Sequence, residues 1–190
     1  SANSARFQGY AGDAGQRPKI QKLAEVDLAD LPRFTTYSTE LDRVLGGGLV
    51  PGSAILIGGN PGAGKSTLLL QTLCKLADSM EALYITGEES LQQVALRAQR
   101  LGLPTDKLNM LSETSVETIC QVADQHKPKV MVVDSIQVMH HADIQSAPGS
   151  VSQVRESAAA LTRYAKQTGT VLILVGHVTK DGTLAGPKVL

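Results

Sequence analysis

Residues 59–67 have the residue types and spacing of a phosphate-binding loop, G-x-x-x-x-G-K-[ST]. The run reads Gly59, Asn60, Pro61, Gly62, Ala63, Gly64, Lys65, Ser66, Thr67. In such a loop, backbone N–H groups at a helix N-terminus bind phosphate oxygens, and glycines allow the backbone to approach them closely. We expect these residues to bind ATP or ADP, with Lys65 on the β- and γ-phosphates and Ser66 as a ligand of Mg²⁺.

The sequence on either side of the loop predicts the elements that this chemistry requires. An apolar run at residues 54–57 precedes the loop, and a leucine-rich helical pattern at residues 68–76 follows it. A glycine-rich turn without a nucleotide is the simpler alternative. The strand-loop-helix context argues against that alternative, because it is the context in which the loop binds phosphate.

Carboxylates follow two further predicted strands. Asp134 comes directly after the apolar run 130–133, where a carboxylate can hold Mg²⁺ or its water, although it could also simply cap a helix. Glu88 and Glu89 follow residues 84–87, and one of them can accept the proton of a water that attacks the γ-phosphate. The alternative for Glu89 is that it favours the first turn of the next helix through the helix dipole.

His177 ends the last apolar run, residues 171–176. At a strand end it can contact the γ-phosphate and signal its presence to the loop beyond, where Gly182, Gly186 and Pro187 suggest mobility. A purely structural histidine is the alternative. The catalytic candidates are therefore Lys65, Glu88 and His177.

Apolar runs alternate with helical patterns along the rest of the chain, so we predict an α/β fold, a mostly parallel sheet with helices on both faces. Strands are predicted at residues 82–85, 108–111, 130–133 and 171–175. We predict a stop at Gly102 for the helix after Glu89, a capping box of Thr114 with Glu117, and a cap of Ser150 with Gln153 for a long last helix. Ligands of such sheets bind beyond the carboxyl ends of the strands.

Composition limits the classes of partner and location. Lys plus Arg and Asp plus Glu both number 18, so any nucleic-acid site has to be local. Cys74 and Cys120 fall at apolar helical positions without metal spacing, which is typical of reduced cysteines in a cytoplasmic protein. No apolar run has membrane-spanning length. We expect residues 1–33 to be a partly disordered linker, and residues 34–190 to form one domain whose first helix begins near Ser38.

Five motifs in order resemble the RecA-like ATPase domain of the bacterial RadA (Sms) family of recombination and repair proteins. They lie at residues 45–53, 59–67, 86–90, 133–137 and 176–182, and the similarity extends from about residue 34 to residue 190. The resemblance implies a RecA-like P-loop NTPase with Lys65 and Ser66 as the nucleotide-binding pair, Asp134 as the Walker B aspartate, Glu88 as the catalytic glutamate and His177 as the γ-phosphate sensor.

The resemblance also implies a function: a hexameric, DNA-stimulated ATPase of the helicase type. Members bind single-stranded DNA and branched recombination intermediates, promote branch migration and work beside a recombinase. Residues 138–150 and 178–188 match the two loops that face DNA. The chain lacks the family's four-cysteine zinc module, its Lys-Asn-Arg-Phe-Gly motif and its Lon-protease-like domain, so we expect a C-terminally incomplete domain that is monomeric and hydrolyses ATP slowly.

The DNA-facing loops are poor in cations. Residues 140–150 contain two histidines and no lysine or arginine, and the second loop adds Lys180 and Lys188. This predicts weak, salt-sensitive DNA binding, because phosphate contacts dominate such affinity. His140 and His141 are expected to be loop residues rather than metal ligands. A nucleotide switch or autokinase of the circadian-clock type is the competing function, whereas a small-molecule kinase would need an arginine-rich lid that the sequence lacks.

Overall fold

The computed structural model describes residues 21–22, 24, 48–59 and 63–177. Most of the predicted linker, the helix expected after Ser38 and the loop of residues 178–188 lie outside these ranges. So do Asn60, Pro61 and Gly62 of the phosphate-binding loop.

Five strands and four helices alternate along the described chain. The strands are β1 (Ala54–Gly59), β2 (Ala82–Thr86), β3 (Asn109–Ser112), β4 (Val130–Asp134) and β5 (Val171–His177). The helices are α1 (Ala63–Leu76), α2 (Leu91–Arg100), α3 (Val116–His126) and α4 (Val151–Thr168), and a short 3-10 helix, Ile136–Val138, follows β4. All strand pairs are parallel, in the order β1-β5-β4-β2-β3. The predicted α/β fold with a parallel sheet is confirmed.

The sheet separates two apolar clusters. Helices α1 and α2 cover one face, where Leu73 and Val94 pack with Ile173. Helices α3 and α4 cover the other face, where Ile119 and Leu161 pack with neighbours from the sheet. Every residue of β4 is buried, as expected for a strand that is covered on both faces. The central strands therefore hold their carboxyl ends in fixed positions.

Some element boundaries differ from the sequence-based prediction. Strand β1 continues to Gly59 and β5 to His177, because the parallel ladder between them persists through the pairs Gly58↔Gly176 and Gly59↔His177. Helix α1 begins at Ala63, so Lys65 and Ser66 lie in its first turn rather than before it. Strand β3 begins one residue later than predicted.

The predicted cap of α3 is wrong. Ser115, not Thr114, is the N-cap, and its hydroxyl accepts the N–H of Thr118. Thr114 is unavailable because its backbone carbonyl accepts the N–H of His140, while the His140 carbonyl accepts the N–H of Val116. This bridge keeps the chain extended for one more residue. Glu117 therefore does not form a capping box with Thr114, and its Oε1 accepts the Ala142 N–H instead.

Gln153 anchors the loop that precedes α4. The predicted cap by Ser150 is confirmed, since its hydroxyl accepts the Gln153 N–H. The buried Gln153 side chain has a second role: its Oε1 accepts the N–H of His141 at 2.8 Å, and its Nε2 donates to the carbonyls of Ile144 and Ser146, each at 2.9 Å. One amide therefore satisfies three backbone groups of the loop.

None of the helices in the described ranges is long and apolar enough to cross a membrane.

We predict that Gln153→Met lowers the free energy of unfolding by about 1–3 kcal/mol, because partly buried backbone groups of the loop lose their partner. Urea unfolding measures the loss. Gln167→Met is the matched control, since Gln167 is exposed on the same helix and its replacement should change stability by less than about 0.5 kcal/mol. Equal losses in the two variants would contradict the anchoring role.

Candidate active site

The predicted site residues meet at one edge of the sheet. Strands β1, β2, β4 and β5 all end there, since parallel strands share the direction of their carboxyl ends. Asp134 and His177 are the last residues of β4 and β5, and Glu88 lies two residues beyond β2. Residues 43 or more positions apart in sequence thus become neighbours.

The first turn of α1 presents Lys65 and Ser66 at this edge. Lys65 is exposed and Ser66 is half-buried. A Cβ built at Gly64 would meet none of the described atoms within 4 Å. The first N–H groups of a helix have no partner within the helix, and such groups bind phosphate oxygens.

Asp134 lies between Ser66 and Tyr84. The Ser66 hydroxyl donates to Asp134 Oδ2 at 2.7 Å, and the Tyr84 hydroxyl donates to the same oxygen at 2.9 Å. Asp134 is 5% exposed. A buried carboxylate is stable only when hydrogen-bond donors compensate for the lost water, and these two hydroxyls do so.

Tyr84 was missed by the sequence analysis. It is fully buried in the α1 side of the core, and burial together with the neighbouring Asp134 raises the pKa of its hydroxyl, which stays protonated as a donor. The available signal was a tyrosine in an otherwise apolar buried strand, because a buried tyrosine hydroxyl usually has a partner.

Glu88 contacts the ends of both neighbouring strands. Its Oε1 lies 2.9 Å from His177 Nε2 and accepts the Ser135 hydroxyl at 3.1 Å. The backbone N–H of His177 donates to Gln137 Oε1 at 3.3 Å. Ser135 and Gln137 were not singled out from the sequence, although both lie within three residues of Asp134. The structure therefore brings Glu88 and His177 into direct contact.

Glu89 points to a different element. Its Oε2 lies 2.6 Å from Arg97 Nη1 on α2, and this hydrogen bond raises the pKa of Arg97. Glu89 lies outside the first turn of α2, which begins at Leu91 with Ser90 as its N-cap, and its observed partner is Arg97. Arg97 was also missed; it follows Val94 by three residues, on the stripe that faces the core.

The histidines after the 3-10 helix lie within the fold. His140 pairs with Ser115 through the backbone, and His141 Nδ1 lies 3.3 Å from Glu117 Oε1. Burial would raise the pKa of Glu117, but the hydrogen bond from the Ala142 N–H and the nearby His141 lower it below its ordinary value. These contacts fit the interpretation of His140 and His141 as loop residues.

Mg²⁺ and a nucleotide fit the residues of this edge. Ser66 and Asp134 contribute oxygen atoms, the ligand type that Mg²⁺ prefers. Lys65, which is exposed, directly precedes Ser66 in sequence. The donor set and the helix N-terminus are thus compatible with a magnesium nucleotide.

The chain has a strand-loop-helix unit at β1, and the aspartate that ends β4 is separated from β1 by the intervening strand β5. This arrangement defines a RecA-like P-loop NTPase fold. Comparison with known proteins agrees with that class. The AAA domain family matches residues 18–183, and the chain belongs to this family.

Bacterial relatives extend the similarity over the whole chain. It is 71% identical over 189 residues to the DNA repair protein RadA of Escherichia coli (strain K12), covering 100% of the chain and 41% of the relative. The DNA repair protein RadA of Pseudomonas aeruginosa is 65% identical over 96% of the chain and 40% of its own length. That of Bacillus subtilis is 50% identical, over 90% and 38% respectively. The RadA resemblance is confirmed, and the chain spans about two fifths of the length of these relatives.

We predict that Tyr84→Phe lowers the free energy of unfolding by about 1.5–3 kcal/mol, the usual contribution of a hydrogen bond to a charged group. Chemical denaturation of wild type and variant measures the difference. In an Asp134→Asn background the same substitution should cost less, because the hydroxyl then faces a neutral amide. An equal cost in both backgrounds would show that the hydroxyl does not stabilise the carboxylate.

Proposed function

We propose that the chain is the ATP-hydrolysing part of a DNA repair and recombination protein. The observation that carries this proposal is the Ser66–Asp134 contact, with Glu88 at the same edge of the sheet. Ser66 and Asp134 supply oxygens for a metal ion, and Glu88 supplies a carboxylate for water activation, all within one subunit. The relatives, which are DNA repair proteins by name, support the biological setting.

Nucleotide binding is assigned to residues 59–67 and the start of α1. Lys65 would contact the β- and γ-phosphates as a cation, and the backbone N–H groups of the loop would bind phosphate oxygens. Ser66 and Asp134 would hold Mg²⁺, which neutralises charge on the phosphates when it is bound. Tyr84 and Ser66 both orient the Asp134 carboxylate toward that role.

Glu88 is proposed as the general base. A carboxylate accepts a proton from water as the water oxygen bonds to the γ-phosphorus, while the bond to the β–γ bridging oxygen breaks, yielding ADP and phosphate. Glu88 is 37% exposed at its side chain and accepts hydrogen bonds from residues outside α2. Glu89 is less suitable because it is paired with Arg97.

His177 is proposed to couple the nucleotide to DNA. Its imidazole contacts Glu88, and the chain continues directly from it into residues 178–188, one of the two segments assigned to DNA by the family resemblance. A change in the contacts of His177 would then affect both the proposed base, Glu88, and the loop of residues 178–188.

The proposed partners are single-stranded DNA and branched recombination intermediates, within a homo-hexamer that acts beside a recombinase and promotes branch migration. The other proposed DNA segment, residues 138–150, contains no lysine or arginine. DNA binding should therefore depend on the hexamer and weaken as the salt concentration rises. The free cysteines Cys74 and Cys120 fit a reducing compartment, and the proposed location is the cytoplasm.

The function is tested with Glu88→Gln in the full-length protein. This variant should retain nucleotide affinity but hydrolyse ATP about 100-fold more slowly or worse, the scale of a lost general base. Lys65→Ala should instead lose tight nucleotide binding, because a charge-assisted phosphate contact disappears. Labelled phosphate should appear as free phosphate; its incorporation into the protein would favour an autokinase. Normal turnover by Glu88→Gln would refute the assignment of the base.

A second test concerns His177. His177→Ala should bind and slowly hydrolyse ATP but lose stimulation by single-stranded DNA, since the strand end no longer links the base to the loop. His126→Ala, at the exposed end of α3, is the control. If DNA stimulates His177→Ala and wild type by the same factor, His177 is structural.

A further inference from the structure

The ion pair of Arg97 with Glu89 has no role in the proposed reaction, yet it lies beside the proposed base. Arg97 is on α2 close to the buried positions Val94 and Ala98, and its side chain is 20% exposed. Taking a guanidinium out of water is costly unless a carboxylate compensates for the charge. Glu89 provides that carboxylate at 2.6 Å.

Arg97 depends strongly on this contact. Its Nε and Nη2 are buried, and within the described ranges neither has a hydrogen-bond partner. Removal of the Glu89 carboxylate would therefore leave a guanidinium without compensation, which is more costly than removal of both charges together. The side chains of Arg97 and Glu89 therefore stabilise each other as an ion pair.

The turn between β2 and α2 is held on its other side by the sheet. The Gly87 N–H donates to the Asp134 carbonyl at 2.9 Å. The Thr86 hydroxyl accepts the N–H of Glu89 at 3.1 Å and donates to its carbonyl at 3.0 Å. A Cβ at Gly87 would lie 2.6 Å from Val138 Cγ2, so the turn also packs tightly against the 3-10 helix.

These contacts separate the two adjacent glutamates. Glu89 is held toward α2 by Arg97, whereas Glu88 is directed toward Ser135 and His177 at the ends of the neighbouring strands. Fixing Glu89 restricts the backbone of the preceding residue, and with it the direction of the Glu88 side chain. Ser90, the N-cap of α2, closes the turn on its far side.

We propose that Arg97 is a positioning residue: by binding Glu89 it fixes the turn 87–90 and aims Glu88 at the attacking water. The inference rests on the proposed function, in which Glu88 is the general base. Because Glu89 is paired with Arg97, Glu89 does not act as the general base.

Misplacing a reacting group by about 1 Å can cost about 100-fold in rate, so a loosened turn should slow turnover while binding remains intact. Arg97→Gln and Glu89→Gln should each lower kcat about tenfold, with nucleotide affinity within about twofold of wild type. The double variant should be no slower than either single variant, because both remove the same interaction. Arg97→Lys keeps the charge and should recover part of the lost kcat.

The experiment measures steady-state ATP hydrolysis, nucleotide affinity and thermal unfolding on the same proteins. Arg100→Gln is the matched control, because Arg100 is exposed on the same helix, and its kcat should equal that of wild type. If Arg97→Gln unfolds at 25 °C, Arg97→Lys and Glu89→Gln still give the comparison of kcat with affinity.

Two kinds of failure are distinguishable. If Glu88→Gln is slow but Arg97→Gln has normal kcat, or if kcat, affinity and thermal stability fall together, Arg97 does not position the base, while the proposed function stands. If Glu89→Gln is about 100-fold slow and Glu88→Gln is normal, Glu89 is the base and both proposals are overturned. Additive losses in the double variant would also overturn the positioning role.

Discussion

The buried carboxylate of Asp134 is the constraint on which the site depends. At 5% exposure it needs donors, and it receives them from Ser66 on α1 and Tyr84 on β2. One oxygen thus joins the helix after the phosphate-binding loop to two strands of the sheet. Because the donors come from separate elements, correct packing of those elements is a condition for a satisfied carboxylate. Fold and site are therefore stabilised by the same hydrogen bonds.

Much of the fold could be predicted because local patterns sufficed. The apolar runs before Asp134 and His177 became buried strands, since central parallel strands are apolar on both faces. The cap at Thr114 could not be placed correctly, because its carbonyl is taken by His140, which is 26 positions away in sequence. Likewise β1 reaches Gly59 only because β5 pairs with it. Long-range backbone pairing decides such boundaries.

The same distinction applies to the site. Lys65 and Ser66 were predicted from a contiguous motif, and Asp134 from its position after a strand. Glu88 and Glu89 are adjacent in sequence and equivalent in chemistry, so the choice between them depended on partners the sequence could not reveal. Arg97 holds one glutamate, and Ser135 with His177 holds the other. A helical stripe that includes an arginine indicates a buried charge but does not identify its partner.

The ladder between β1 and β5 has a mechanical consequence. Gly59, where the chain enters the phosphate-binding loop, pairs directly with His177. Neighbouring strands lie about 4.8 Å apart, and their hydrogen bonds resist shear. Entry to the loop and the end of β5 must therefore move together as one stiff body. A shift of the loop entry would therefore also displace His177, whose imidazole contacts Glu88.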